Sequence, residues 1–288
     1  MTDFFAPPRR AAPVAIVGAG WLGRPLAEAL AADGHPVRVS TTTPARADAL
    51  TAAGLAPVVL RLEPDSAAAE WRPFLRGAAA LVVSVPPATR GAPDPAAAYR
   101  LHTARLARLG ALVADSGIRR VVLLSSTAVY PDAPGAPVLT EAAADAAHPL
   151  AVAEAALGAA LPADVRYAVA RLGGLMGPGR APGRFFGVGR PVPQPAAPVN
   201  MLHLADAVGA VRALLPAPTA TGAYTVCAAR HPTRAEFYGA AAAALGLPPP
   251  TFAAAPGMVG KQLDSTRFRG ATGYEFQFDD PLAALAEC

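Results

Sequence analysis

The sequence predicts an α/β protein, a doubly wound parallel sheet with a smaller C-terminal lobe laid over its end. Three observations point that way. Short apolar runs alternate with alanine- and leucine-rich helical stretches from residue 14 to residue 171. A glycine-rich turn joins the first run to the first helical stretch. Beyond Arg171 the composition shifts to glycine, proline and arginine, so residues 173–198 read as a long loop. Strands alternating with helices run parallel, because each right-handed crossover uses a helix to return the chain.

The elements follow in order. Val14–Val17 is a short buried-strand run, and a helix runs from about Leu22 to Asp33, where Gly34 stops it. Val37–Ser40 is the second strand and residues 45–53 the second helix. Val58–Leu62 and Ala80–Ser84 are the third and fourth strands. Leu101, Leu106, Leu109 and Leu112 mark the apolar face of a long helix from about Ala96 to Ser116. Arg120–Ser125 is the fifth strand, followed by a helix over 150–160 and a strand over Tyr167–Arg171. Farther on, Met201–Leu215 reads as a helix and Ala223–Cys227 as a strand. A last helix, Arg234–Leu245, is capped by Thr233 and broken at Gly246.

Composition removes several classes of function. No run approaches the roughly 18–20 unbroken apolar residues of a membrane span. Residues 1–13 carry Asp3, Arg9, Arg10 and three prolines, which is a flexible lead-in rather than a signal peptide. Two cysteines, Cys227 and Cys288, support neither a disulfide framework nor a metal site. A cytoplasmic protein is expected. The net charge of +4 comes from 24 arginines and a single lysine, Lys261, spread without a basic stripe, so nucleic-acid binding is not expected. With one lysine, every mechanism that needs a lysine must use Lys261 or fail.

The strongest local signal is Gly18-Ala-Gly20-Trp21-Leu22-Gly23, directly after a strand and opening a helix. Gly18 permits the tight turn, Gly20 lets a pyrophosphate approach the backbone, and Gly23 allows the helix to pack on the strand. The same residues would also make a tight turn without a ligand. At the end of the second strand an acid would normally bind the ribose of NAD. The chain has Ser40, Thr41, Thr42 and Thr43 there, with Arg46 close behind. Hydroxyls and a guanidinium suit a 2′-phosphate, so NADP is favoured, with NAD left open; the threonines would equally cap the next helix. Ser84, Val85 and Pro86 end the fourth strand as a wall beside the cofactor or a plain strand stop. Ser125, Ser126 and Thr127 end the fifth strand, where ligands of open α/β sheets bind.

Together these residues resemble the extended short-chain dehydrogenase/reductase superfamily. Val121 to Tyr130 resembles its apolar strand followed by Ser-Ser-x-x-Val-Tyr. Arg171 to Gly179 is similar to its Arg-x-x-x-x-x-Gly-Pro-Gly segment near the nicotinamide, and Asn200 to Asp206 to its Asn-x-x-His-x-x-Asp segment. The tail from Lys261 to Phe278 follows the same pattern, so the resemblance spans about residues 14–285. It implies a Rossmann domain over 14–176 and a smaller substrate-binding lobe over 177–288, with about 200–228 returning to the Rossmann domain. Cofactor contacts are expected from Gly18, Gly20, Trp21, Leu22, Gly23, Thr41, Thr42, Arg46, Leu62, Ser84, Val85, Pro86 and Gly174. Helices 96–116 and 150–160 would form a homodimer interface.

One departure stands out. The superfamily pairs its hydroxyl residue, here Ser126, with a Tyr-x-x-x-Lys motif about 25 residues on. This chain has Ala151 and Ala155 at those places. The resemblance is therefore to the atypical, epimerase/dehydratase-like branch. Candidate catalytic groups are Ser126, Thr127 and Tyr130, the last read first as a buried anchor of the loop. His148 is read as a loop histidine, His203 and Asp206 as structural, and Lys261 as lying outside the cleft. Arg184, Phe185, Phe186 and Arg190 are candidates to line a pocket for an anionic, small-molecule substrate. Two functions remain open: an NAD(P)-dependent oxidoreductase or epimerase-like enzyme, and a non-catalytic dinucleotide-binding sensor.

Overall fold

The computed structural model describes residues 11–186 and 190–288. The lead-in read over 1–13 therefore lies largely outside the described residues. The Rossmann-like half runs β1 (Val14–Val17), α1 (Gly23–Ala32), β2 (Val37–Thr41), α2 (Pro44–Ala52), β3 (Ala56–Val59), α3 (Ala68–Leu75) and β4 (Ala80–Val83). It continues through α4 (Pro95–Val113), β5 (Arg120–Ser126), the short strands β6 (Ala133–Pro134) and β7 (Val138–Leu139), α5 (Pro149–Ala160) and β8 (Arg166–Leu172). Then come β9 (Gly174–Met176), β10 (Met201–His203), α6 (Leu204–Leu214), β11 (Gly222–Val226) and α7 (Arg234–Ala244). The chain closes with β12 (Val259–Gly260), β13 (Gln262–Leu263) and α8 (Thr266–Thr272).

Seven strands form one sheet in the order β3-β2-β1-β4-β5-β8-β11, and every neighbouring pair is parallel. The chain starts in the middle, winds outward through β2 and β3, and returns to lay β4 on the other side of β1. That reversal opens a crevice between the carboxyl ends of β1 and β4, where open α/β sheets bind their ligands. The doubly wound sheet expected from the sequence is the one found.

Both faces are covered. Leu26 and Leu30 of α1, Val211 and Leu214 of α6, and Phe268 of α8 pack on one face. Trp71 and Phe74 of α3, Leu106 and Leu109 of α4, and Leu157 of α5 pack on the other. Central strands buried on both sides read as unbroken apolar runs, which is why they were legible. The edge strand β3 was not. It lies at 56–59 rather than 58–62, is half exposed, and carries Pro57, which an edge tolerates. Helix α3 escaped because Pro73 interrupts its pattern. The stretch expected as one helix from Met201 divides into β10 and α6, because residues 201–203 pair with β9 before the helix begins.

The C-terminal chain returns to the Rossmann half through a strap. Val259 and Gly260 pair antiparallel with β6, and Gln262 and Leu263 pair parallel with β7. No helix among the described residues is long and apolar enough to cross a membrane.

Helices α4 and α5 approach closely at Gly110, where an added Cβ would lie 2.7 Å from Ala160 Cβ and 3.0 Å from the Leu157 carbonyl. Replacing glycine by alanine inside a helix normally stabilises by about 1 kcal/mol. Gly239→Ala on α7, with nothing within 4 Å of the added carbon, should follow that rule and raise Tm. Gly110→Ala should lower it. Calorimetry of the two variants checks both signs.

Candidate cofactor and substrate site

The glycine loop is shaped by close approach. Gly18 has φ +97°, and a Cβ there would lie 2.6 Å from the Ser84 carbonyl oxygen at the end of β4. A Cβ on Gly23 would lie 2.0 Å from the Gly18 carbonyl oxygen, so α1 sits directly on the turn. Both contacts exclude any other residue. Gly20 differs, since nothing lies within 4 Å of its added carbon. Its open face fronts a helix start that has no side-chain cap and no acid in the first turn. Unpaired N–H groups at the positive end of a helix, with space before them, fit a pyrophosphate. Trp21 closes one side, its indole N–H donating to the Pro178 carbonyl at 3.0 Å.

At the end of β2 the hydroxyls divide their work. Ser40 is 3% exposed; its Oγ accepts from the Gly18 N–H at 3.0 Å and its carbonyl accepts from Ala19 at 2.9 Å. It holds the glycine loop and is spent on that. Thr41 is also buried, whereas Thr42, Thr43 and Arg46 are exposed at the start of α2. Thr43 occupies the cap position of α2 but makes no side-chain cap bond. No carboxylate stands at the end of β2, and Arg46 makes no ion pair among the described residues. Leu62 is buried under the adjoining loop in the core that contains Trp71.

Beyond the crevice, Ser84 ends beside Gly18, and its N–H donates to the Val17 carbonyl at 2.8 Å. Val85 and Pro86 line a small cavity of about 110 Å³ together with Ser125, Ser126, His102 and Glu154. A second cavity of about 370 Å³ adjoins it, lined by Ser126, Thr127, Gly174, Arg180 and Lys261. A larger hollow of about 610 Å³ lies at the opposite edge of the sheet. It sits where the strands begin. Arg120 donates to the Leu214 and Ala220 carbonyls through its terminal nitrogens while its Nε has no partner among the described residues, Arg166 donates to the Pro218 carbonyl, and Arg212 pairs with Asp33. The carboxyl ends of the strands, where open α/β sheets bind their ligands, lie at the other end.

Ser126 Oγ accepts from the Ala128 N–H at 3.2 Å, which leaves its own proton free to donate. Tyr130 has a different fate from the proton donation weighed for it. It is 1% exposed, its hydroxyl lies 2.6 Å from Thr225 Oγ1, and Arg171 Nη1 donates to it at 3.3 Å. Burial raises its pKa, against the two hydrogen bonds. Its hydroxyl is held in the interior by Thr225 and Arg171, as an anchor of the loop would be.

The residues that the sequence reading missed are as informative. Glu154 on α5 is buried and paired with Arg171 at 2.8 Å, and its Oε1 accepts from Ser125 Oγ at 2.5 Å. Ala151 and Ala155 occupy the same helix. The signal was present, because Glu154 is the lone charge on an otherwise alanine- and leucine-rich helix. Lys261 overturns its expectation outright. The strap carries it into the cleft, where Nζ donates to the Tyr130 carbonyl at 2.5 Å and pairs with Asp132 at 3.2 Å. Asn200 fixes the strap, donating to the Lys261 carbonyl and accepting from the Leu263 N–H, both at 2.8 Å.

The remaining candidates divide between helix caps, a clamp on the tail and the residues on either side of 187–189. His148 caps α5, its Nδ1 accepting from the Leu150 N–H at 3.2 Å. His203 caps α6 in the same way. Asp206 is fully buried and accepts from Tyr274 and from the Gln277 and Phe278 N–H groups, which clamps the tail. Phe186 packs edge-on against Tyr238, with the exposed Arg190 over its ring. Arg184 is exposed, and Phe185 lies under the Arg180 guanidinium.

A family model described as NAD(P)H-binding matches residues 18–208. Escherichia coli K12 protein YeeZ is 37% identical over 289 residues, covering 95% of this chain and 99% of YeeZ. The chain belongs to the NAD(P)H-binding family. A conserved Silicibacter pomeroyi protein of unknown function is 25% identical, with a TM-score of 0.70 over 96% of this chain and 100% of its own. Human epimerase family protein SDR39U1, solved with NADPH, shares the fold at 22% identity, with a TM-score of 0.71 over 96% of this chain and 98% of its own. The doubly wound fold is thus one that this chain shares with both solved structures.

Two outcomes follow for the buried groups. Arg171→Met leaves Glu154 charged and unpaired inside the protein, which should cost roughly 3–5 kcal/mol in urea unfolding. Adding Glu154→Leu should restore most of that loss. His102 is pushed down to about 4, first by burial and then by Arg105. The unfolded imidazole takes up its proton near pH 6.5, so stability from keeping it neutral is complete above that pH and is lost as pH falls toward 4. Urea midpoints measured from pH 7 to pH 5 should decline less steeply in His102→Gln.

Proposed function

We propose that this protein is an NADP-preferring oxidoreductase or epimerase-like enzyme that works without a Tyr-x-x-x-Lys pair. The supporting observation is the alignment of three features on neighbouring strand ends: the glycine cradle after β1, the free hydroxyl of Ser126 after β5, and the open cavity of about 370 Å³ between Ser126 and the C-terminal lobe. A non-catalytic sensor has no use for that cleft, which favours catalysis over the sensor reading.

In this reading the Gly20 to Gly23 N–H groups hold the pyrophosphate. Thr42 and Arg46 receive the 2′-phosphate, where a carboxylate would repel it. Leu62 backs the adenine side, while Ser84, Val85, Pro86 and Gly174 bound the nicotinamide side. A bound nicotinamide supplies or accepts a hydride. Ser126, with Thr127 beside it, orients and donates to the substrate oxygen, because Ser125 is already spent on Glu154.

Titration of nicotinamide fluorescence tests the reading. NADPH should bind more tightly than NADH, and Arg46→Glu should cost at least tenfold for NADPH with little change for NADH. Gly20→Val should fold normally, having nothing to strike, yet lose both cofactors. Binding of neither cofactor by the unaltered protein would overturn the proposal.

A further inference from the structure

We infer that the cavity beside Ser126 and Thr127 takes a carboxylate-bearing substrate, with Arg180 and Lys261 holding its anionic group. The inference rests on the cofactor reading for the reaction, but its geometry stands on the chain alone. The lining of this cavity contains two cations and no carboxylate.

Arg180 is the less committed of the two. Its Nε donates to the Leu175 carbonyl at 2.8 Å, and its guanidinium carbon lies 5.7 Å from the ring centres of both Trp21 and Phe185. It makes no ion pair among the described residues. Aromatic faces fix the plane of the fork while its terminal N–H groups stay available. That is the preorganisation suited to a bidentate carboxylate. A half-buried guanidinium without an acid also leaves a desolvation cost that an anionic ligand would offset.

Lys261 comes from the other side. The side chain is 17% exposed and its ammonium has three donors. One goes to the Tyr130 carbonyl and one to Asp132, which leaves a third. Asn200 and the pairing of β12 and β13 hold the backbone on either side, so the ammonium is positioned and not merely nearby. The chain has one lysine and places it here. A small acid bound between these cations would lie against the Ser126 hydroxyl, the group proposed to donate to its reacting oxygen.

The probe is oxamate, with neutral oxamide and inorganic phosphate as comparisons. Binding is read as quenching of bound NADPH fluorescence, and by calorimetry on protein without cofactor. Oxamate should bind, and oxamide should not. Arg180→Met and Lys261→Met should each raise the oxamate Kd at least tenfold with NADPH affinity unchanged, and Lys261→Arg should stay within about threefold of the unaltered protein. Equal binding of oxamide, or no effect of either methionine variant, would overturn the inference. So would phosphate binding that NADPH displaces, with Arg180→Met weakening NADPH, because Arg180 would then serve the cofactor. If no nicotinamide cofactor binds but oxamate still does, with the same sensitivity to both variants, the carboxylate site stands and the cofactor reading falls.

Discussion

The contact between Gly18 and the Ser84 carbonyl sets the geometry of everything at this end of the sheet. The two strands on either side of the topological switch, β1 and β4, end close enough that only a glycine fits between them. Gly23 repeats the constraint by laying α1 on the Gly18 carbonyl. Ser40 then locks the turn from the β2 side by accepting the Gly18 N–H through its buried hydroxyl. Three strands and a helix are brought to one point without a bulky side chain, and the face left open is that of Gly20. The helix start that results has donors and no competing acid, which is the chemistry that suits an anionic group.

A second constraint acts on the neighbouring strand ends. On α5 this chain has Ala151 and Ala155, and between them stands Glu154. A buried carboxylate is tolerable only when fully paired. Here Arg171 supplies the charge, Ser125 a short hydrogen bond, and Tyr130 joins Arg171 to Thr225. Glu141 extends the network by accepting from the Thr225 N–H at 2.7 Å. The network stiffens the end of β5 and ties it to β8 and β11. It uses up Ser125 and Tyr130 and leaves Ser126 free.

The Rossmann half was legible because its signals are local. Buried parallel strands appear as unbroken apolar runs, and the glycine loop announces itself by three glycines at fixed spacing after the first of them. Elements with weaker local signals were misplaced. The half-exposed edge strand β3 lacks an apolar run, α3 carries Pro73, and β10 exists only because β9 is there to pair with it. Among site residues, the loop glycines and Ser126 could be named from motif alone. Glu154 could have been suspected as a solitary charge on an apolar helix, but its partner, 17 residues away, could not.

The sequence by itself determined the fold class, the place of the glycine turn after β1 and the absence of a tyrosine and lysine at positions 151 and 155. Each depends on residues within one or two turns of one another. Only the tertiary structure supplied the partners of Tyr130 and brought Lys261 to the cavity beside Ser126. Lys261 reaches the Tyr130 carbonyl across 131 residues, on a strap whose position depends on Asn200 and on pairing with β6 and β7. Contacts of that range leave no periodicity or spacing in the chain, because they come from how distant segments pack together and not from how either segment folds locally.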